Sequence, residues 1–359
     1  MSRQIRLTLN LQVGGRHDAA WKRLPADQAR VARSIASLDL VSKGRAGWNI
    51  ITSQGESTLE ALGTNEVLDS EARYRKAEEF TGIVAGLWDS FPRSAVVGDA
   101  SRDVFVDRSK TQPLDYKGEF YSSKAVLPIP GGHDGRPLLF QAGASDRSRA
   151  FGAAWADGLF TSQRTKAHGQ QFRSHVHALA RAAGRDPDKI VILPGLFVIL
   201  GGTEAEAHVR KDALDAQLDT EFLLDRLAEQ LGIPASEFDL CAELPYDRLV
   251  NEPGDVSQYA RRREQIVTEA RQRGLTARQL LFNNLTGGQR VIIGPPEQVA
   301  DDIVDWVDSG AADGFTINID VQTEGLETFV DGVAGELRRR GRFRREYEHQ
   351  TFRENLGVA

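Results

Sequence analysis

Two short stretches of the sequence place polar side chains beside small residues where strands of an α/β protein would end. Asn49 lies in the apolar run 46–52, where a buried amide needs a hydrogen-bond partner that a ligand could supply. The segment 141–145, QAGAS, joins a predicted strand to a predicted helix. The free N–H groups of a helix start and the Ser145 hydroxyl together predict an anion site, suited to a phosphate. The alternatives are a core asparagine bonded to the backbone and a serine that only caps its helix.

Two aromatic side chains are further candidates. Tyr74 lies in the first turn of a helix predicted from 71 to 88, so its phenol could reach a neighbouring loop, although a tyrosine at helical spacing is more often a core residue. His17 follows the first predicted strand, where a catalytic acid or base could lie, and a surface histidine is the alternative. The histidines have no metal-binding spacing, and the single cysteine, Cys241, excludes an intramolecular disulfide and a cysteine-built metal site.

The elements that must position these residues alternate between apolar strands and helices. Apolar strands in series with helices predict a parallel sheet covered by helices, either doubly wound or closed into a (β/α) barrel. A hairpin excursion is expected at 99–135 and a helical excursion at 212–282. The predicted strands of the sheet lie at 5–11, 46–52, 138–141, 159–161, 190–200 and 315–319.

Composition narrows the classes of function. The 359 residues include 45 basic and 51 acidic side chains, a net charge of −6, which does not suggest a nucleic-acid binder or a polybasic membrane protein. The sequence has no apolar run of membrane-spanning length, no G-x-G-x-x-G pattern and no Walker A pattern. We therefore expect a soluble cytoplasmic protein that has no nucleic-acid or membrane partner. The run 338–345 contains six arginines in eight residues and could bind an anion. Because these side chains repel one another unless paired, a solvated helix end or a subunit contact is the favoured alternative.

Several segments in combination resemble one protein family. The segment 42–53, SKGRAGWNIITS, and the segment QAGAS are the most distinctive, and the others lie at 72–80, 193–195, 294–301 and 353–357. Together they resemble the nitrilotriacetate monooxygenase component A group of the bacterial-luciferase-like flavin monooxygenases. The resemblance runs over nearly the whole chain.

This resemblance implies an α/β fold of the (β/α) TIM-barrel type, with the barrel over 1–330 and a basic C-terminal helix and tail over 331–359. It implies a two-component monooxygenase that receives reduced FMN from a separate flavin reductase and uses O2 to oxygenate a small organic substrate. A homo-oligomer is also expected. His17 would be the catalytic residue, and the implied cofactor contacts are Asn49, Ile51, Thr52, Ser70, Tyr74, Gly143, Ala144 and Ser145.

The sequence also departs from the family pattern. Residues 21–30 run directly from the first strand region into a helix where the family has two more strand–helix units, which amounts to about 60 to 80 absent residues. Ser70 and Gln289 stand where the family has histidines. We expect a shortened barrel of about six strands in which the strands at 5–11 and 46–52 pair directly. The alternative functions are a flavin-binding relative without catalysis and an oligomeric scaffold.

Overall fold

The structure is a computed structural model that describes residues 6–9, 28–52, 68–133, 135–143, 145–246, 249, 258–284 and 289–359. Two predicted site residues, His17 and Ala144, lie outside the described residues. The strands are β1 Arg6–Leu9, β2 Gly47–Ile50, β3 Val96–Asp99, β4 Val104–Val106, β5 Leu114–Lys117, β6 Ser122–Ala125, β7 Leu138–Ala142, β8 Gly158–Thr161, β9 Val191–Leu200, β10 Arg290–Gly294 and β11 Gly314–Ile319. The α-helices are α1 Gln28–Ser42, α2 Ser70–Asp89, α3 Asp146–Trp155, α4 Lys166–Ala182, α5 Glu204–Asp215, α6 Thr220–Leu231, α7 Gln258–Arg273, α8 Ala277–Asn284, α9 Pro296–Asp308, α10 Gln322–Thr328, α11 Gly335–Arg339 and α12 Phe352–Leu356.

The chain divides into two compact units. The first unit comprises Met1–Gly195, Asp301–Asn318 and Ala334–Ala359, and the second comprises Leu196–Ala300 and Ile319–Val333. In the first unit the sheet runs in the order β1-β11-β9-β8-β7-β2. In the second unit β10 pairs in parallel with the last five residues of β9. The predicted α/β class with a parallel sheet is confirmed, whereas the division at residue 330 stays a prediction.

Two features of the sheet differ from the sequence-based expectation. The structure contains a strand that was not predicted, β10. It was missed because a run of three apolar residues is too short to give a periodic signal. The expected direct pairing of the first two strands is wrong within the described residues, since β1 pairs with β11 and β2 pairs with β7, at opposite ends of the strand order. Direct pairing of β1 with β2 would close the sheet into a small barrel, and closure requires the number of strands to match their stagger. The registers of β1 with β11 and of β2 with β7 instead place β1 and β2 at separate ends of the sheet.

The helix-facing side of β2 and β7 is covered by α1 and α2. Helix α2 begins where the Asp69 carboxylate accepts a hydrogen bond from the Ala72 N–H at 2.7 Å, which satisfies a donor that the first turn leaves free. Its apolar side chains pack with Ile50 and Leu139 in one buried cluster. The Trp88 indole N–H donates to the Ala32 carbonyl at 2.9 Å and ties α2 to α1. The helices therefore bury one face of these strands.

The opposite face of β7 and β9 is covered near the strand starts by the C-terminal segment. Leu356 and Val358 join Leu138, Val191 and Leu193 in a buried cluster. In addition, the Phe352 ring stacks on Phe140 with ring centroids 5.8 Å apart. These contacts cover the face near the strand starts. We call this face the inner face, because it lies opposite the helix-covered one.

Buried carboxylates hold the strand starts together. Asp157, before β8, accepts the Leu139 N–H at 3.0 Å, and Asp313, before β11, accepts the Ile192 N–H at 3.0 Å. The Asp157 carboxylate also pairs with Arg353 of α12 through two contacts of 3.1 and 3.2 Å. Charge-assisted bonds of this kind are the stronger hydrogen bonds in proteins, so they anchor the C-terminal segment to the sheet.

The segment between α2 and β7 contains two antiparallel hairpins, β3–β4 and β5–β6. The second hairpin is attached to α2 by Glu79, whose carboxylate accepts hydrogen bonds from the N–H groups of Glu119, Phe120 and Tyr121 at 2.7, 3.0 and 3.1 Å. Partial burial alone would raise the pKa of the Glu79 carboxyl, but these three N–H groups outweigh it and lower the pKa. Among the described helices none is both long and apolar enough to cross a membrane.

Replacing Glu79 by Gln is expected to loosen the β5–β6 hairpin, because a neutral amide has one acceptor oxygen and no charge to hold three N–H groups. The free energy of unfolding should fall by about 1 kcal/mol. Since the folded-state pKa is lowered, the stability difference between wild type and Glu79→Gln should be present at neutral pH and disappear as the pH falls through that pKa.

Urea unfolding of both proteins between pH 3 and 7 measures this effect. Glu119→Gln is the matched control, since Glu119 lies in the same turn and makes an exposed ion pair with Arg75 at 3.2 Å, which should contribute little. An equal loss in the two variants, independent of pH, would contradict the role given to Glu79.

Candidate functional site

The pairing of β2 with β7 brings two of the predicted site segments to the same edge of the sheet. The strands are parallel, with Asn49 opposite Phe140 and Ile50 opposite Gln141. Parallel strands end at a common edge, where loops of (β/α) folds form ligand sites. Ile51 and Thr52 therefore follow β2 beside the loop that follows β7 at Gly143. The Asn49 and QAGAS segments are thus neighbours in the structure.

The inner face of the sheet is open near this edge. Alternation along a strand places Asn49 on the same face as Ile51, opposite to the buried Ile50. Asn49 is exposed, Ile51 is 70% exposed, and Ala142 of the neighbouring strand is exposed as well. The expectation of an inward, core-like position for Asn49 is thus replaced by an accessible amide on a surface that side chains of the described residues leave uncovered.

The loop after β7 has a fixed and unusual backbone. Gly143 has φ = +149°, a conformation that favours glycine, and a Cβ atom there would lie 2.1 Å from the Ser148 hydroxyl oxygen. Its N–H donates to the Phe160 carbonyl at 3.2 Å, so it is engaged in holding the loop against β8. Gly143 therefore shapes the loop and allows close approach rather than offering its own N–H to an anion.

Ser145 is the N-cap of α3. Its hydroxyl oxygen accepts the Ser148 N–H at 3.2 Å, and its own O–H donates to no acceptor in the described part of the chain. The N–H groups of Asp146 and Arg147, in the first turn of α3, have no acceptor within the helix. Thus the capping role, weighed above as an alternative to anion binding, is present and leaves donors for a ligand as well.

The first turn of α2 lies beside the first turn of α3. Arg147 forms ion pairs with Glu71 at 3.0 Å and with Glu78 at 3.3 Å, and its guanidinium lies 5.8 Å from the centroid of the Tyr74 ring. Ser70, the first residue of α2, is exposed in the same turn as Glu71. Ser70 therefore lies close to the other candidate residues. The positive charge of Arg147 is balanced by the carboxylates of Glu71 and Glu78.

Tyr74 is only 4% exposed and belongs to the buried cluster beneath α2. Its ring packs on Phe151 of α3 with centroids 5.8 Å apart. Tyr74 is thus a core residue, which was the alternative that its helical spacing indicated. A cofactor contact of Tyr74 stays a prediction.

The residues present fit a phosphate-bearing cofactor. The loop combines a glycine that excludes a side chain, a hydroxyl donor and two first-turn N–H groups, and the positive end of the α3 dipole points to the same place. The open inner face beside it, with Asn49 and Ala142 exposed, leaves room for a planar group. A phosphate at the loop and a ring on the strands are the two halves of a flavin nucleotide.

Sequence reasoning missed two side chains that support this loop. Gln141 is 3% exposed, and its amide N–H2 group donates to the Ala142 carbonyl at 2.6 Å and to the Ser148 hydroxyl at 2.8 Å. Its amide oxygen is buried without a partner among the described residues, which costs about 1–3 kcal/mol. The only signal in the sequence was a polar side chain in an otherwise apolar strand, together with a serine three residues after the N-cap.

The chain is similar in sequence to known monooxygenases. A family model described as luciferase-like monooxygenase matches residues 23–313. The chain is 37% identical to N-acetyl-S-(2-succino)cysteine monooxygenase of Bacillus subtilis (strain 168) over 331 residues, which cover 91% of this chain and 74% of that protein. It is 36% identical to nitrilotriacetate monooxygenase component A of Aminobacter aminovorans over 332 residues, 92% of this chain and 72% of the relative.

A solved structure extends the comparison to the fold. Riboflavin lyase, crystallised with a modified FMN and its substrate riboflavin, superposes with a TM-score of 0.76 at 28% sequence identity. The match covers 92% of this chain and 72% of that one. The predicted resemblance to the nitrilotriacetate monooxygenase group and the luciferase-like fold class are confirmed by these comparisons.

Replacing Gly143 by Ala is expected to lower the free energy of unfolding by about 1–3 kcal/mol, through backbone strain and the clash with Ser148. Gly184→Ala is the matched control, because Gly184 also has a positive φ, +73°, but a Cβ there would meet no atom within 4 Å. Thermal and urea unfolding measure both variants. If Gly184→Ala lost as much stability as Gly143→Ala, the close contact between position 143 and the Ser148 hydroxyl would not explain the loss.

Proposed function

Because the chain belongs to the luciferase-like monooxygenase family, we propose that it binds FMN, receives it in reduced form from a separate flavin reductase, and uses O2 to oxygenate a small organic substrate. The flavin-dependent monooxygenase class follows from the family. The use of FMN by this chain, the reductase, a cytoplasmic location and a homo-oligomeric state are parts of the proposal.

The observation that carries the proposal is the juxtaposition of the exposed Asn49 amide with the loop that leads into α3. Ser145 and the first-turn N–H groups of α3 would bind the phosphate, since they combine a hydroxyl donor with a helix N-terminus. Asn49, Ile51 and Thr52 would contact the ring system from the ends of the strands. Bound FMN, once reduced, supplies the reaction with O2.

The remaining candidates support or complete this arrangement. The Tyr74 ring packs between α2 and α3 and holds Arg147 beside the loop, so it would act on the shape of the phosphate site. Ser70 would offer a hydroxyl at the start of α2. His17, outside the described residues, remains the proposed acid or base of the reaction.

Purified protein should quench FMN fluorescence saturably, with a dissociation constant in the micromolar range, about −8 kcal/mol in binding free energy. Mixing the reduced complex with O2 in a stopped-flow instrument should give a flavin reoxidation rate different from that of free reduced FMN. Absence of saturable FMN binding would overturn the proposal. Binding with a reoxidation rate equal to that of free FMN would leave a flavin-binding relative without catalysis.

Ser145→Asp is expected to weaken FMN binding about tenfold or more, because a carboxylate beside the phosphate repels it by a few kcal/mol. Aspartate caps helices as well as serine, so α3 should stay folded. Thr203→Asp, at the N-cap of α5, where the threonine accepts the Glu206 N–H at 3.2 Å, is the control and should bind FMN as wild type does. Titration by fluorescence measures both, and equal affinities would remove Ser145 from the site.

A further inference from the structure

We propose that Gln141 and Ser148 are positioning residues for the phosphate of the cofactor, acting through the loop that contains Gly143 and Ser145. This inference rests on the proposed function, because it assigns these residues a role toward FMN. Neither side chain reaches the open inner face, since Gln141 lies on the helix-covered face of β7 and Ser148 is 1% exposed.

The side chains of Gln141 and Ser148 pack and hydrogen-bond against the backbone around Gly143. The Gln141 amide donates to the Ser148 hydroxyl at 2.8 Å and to the Ala142 carbonyl at 2.6 Å, which precedes Gly143. The Ser148 hydroxyl oxygen lies where a Cβ of Gly143 would be, 2.1 Å from that position. Consequently a side chain at position 143 would collide with Ser148, and the Ser148 hydroxyl packs directly against the Gly143 backbone.

Ser148 is also connected to the proposed anion donors through its backbone. The Ser148 N–H donates to the Ser145 hydroxyl oxygen at 3.2 Å and so fixes the position of that oxygen at the start of α3. Ser148 thus holds Gly143 with its side chain and Ser145 with its backbone. Displacement of Ser148 would move the hydroxyl of Ser145 and the first-turn N–H groups together.

The Gln141 amide is closely enclosed by α3. Gly152 of α3 packs against both Leu159 and this amide, since a Cβ there would lie 2.5 Å from Leu159 Cδ2 and 3.1 Å from the Gln141 amide oxygen. That oxygen accepts no hydrogen bond in the described part of the chain. Both hydrogen bonds that this amide makes are therefore donated by its N–H2 group, one to the loop and one to the helix that follows it.

The experiment compares FMN with riboflavin, which shares the ring but lacks the phosphate. Gln141→Met, which keeps the volume and removes both donors, and Ser148→Ala should each weaken FMN binding about tenfold and leave riboflavin affinity within about twofold of wild type. The double variant should weaken FMN no more than the stronger single variant, because both side chains act through one loop.

Ser90→Ala is the matched control. Ser90 is fully buried and its hydroxyl donates to the Leu87 carbonyl at 2.6 Å and accepts the Leu127 N–H at 2.9 Å, away from this loop. It should lower the thermal unfolding temperature as Ser148→Ala does, yet keep the FMN-to-riboflavin affinity ratio of wild type. Comparison of thermal midpoints with the two affinities separates positioning from general stability.

Two results would overturn the inference while leaving the proposed function in place. Unchanged FMN affinity in both Gln141→Met and Ser148→Ala would show that the loop does not depend on them. Equal weakening of FMN and riboflavin would show a general structural role. Failure of the wild-type protein to bind FMN is a separate outcome, which rejects the proposed function and the inference with it, whereas wild-type binding with an unchanged ratio in the variants rejects the inference alone.

Discussion

The parallel register between β2 and β7 is the constraint on which the candidate site depends. It sets Asn49 opposite Phe140 and ends both strands at one edge, so the loop after Ala142 begins beside Ile51. A slip of one residue would turn the Asn49 amide toward the helices and the Ile50 side chain toward the open inner face. The apolar cluster that buries Ile50 and Leu139 under α1 and α2 opposes such a slip.

The starts of the strands stabilise the sheet, whereas their ends carry the candidate ligand site. At the starts, Asp157 and Asp313 each accept an N–H from a neighbouring strand, and the C-terminal segment is held there by Arg353 and by its apolar side chains. At the ends of β2 and β7, Asn49, Ile51 and Ala142 are exposed, so the described residues leave this part of the inner face uncovered. This division is typical of (β/α) folds, in which one end of the strands supplies stability and the other carries the ligand site.

Much of this organisation could be predicted from the sequence because its signals are local. Helical spacing identified α2, apolar runs identified most strands, and QAGAS indicated a strand-to-helix turn with a cap. The pairing of β1 could not be predicted, because partner choice depends on registers between distant segments. The Gln141–Ser148 bond was missed for a related reason, since the direction of a side chain depends on the packing of α3 against the sheet.

The arginine-rich run illustrates the same limit. Mutual repulsion of these side chains predicted that they need partners or solvent. One partner, Glu336, lies just before the run and pairs with Arg340, and two others belong to α9. Arg342 pairs with Asp308 of α9 at 2.6 Å, and Arg340 pairs with Asp301 at 2.5 Å. A charge pattern therefore shows that partners are required, and only the fold shows which residues they are.

A crystal structure of the protein with FMN bound tests the central claim most directly. The account predicts the phosphate at the start of α3, within hydrogen-bond distance of the Ser145 hydroxyl, and the ring system against the inner face beside Asn49. Flavin density on any other part of the molecule, or an Asn49 amide turned away from a ring bound elsewhere, would contradict the account.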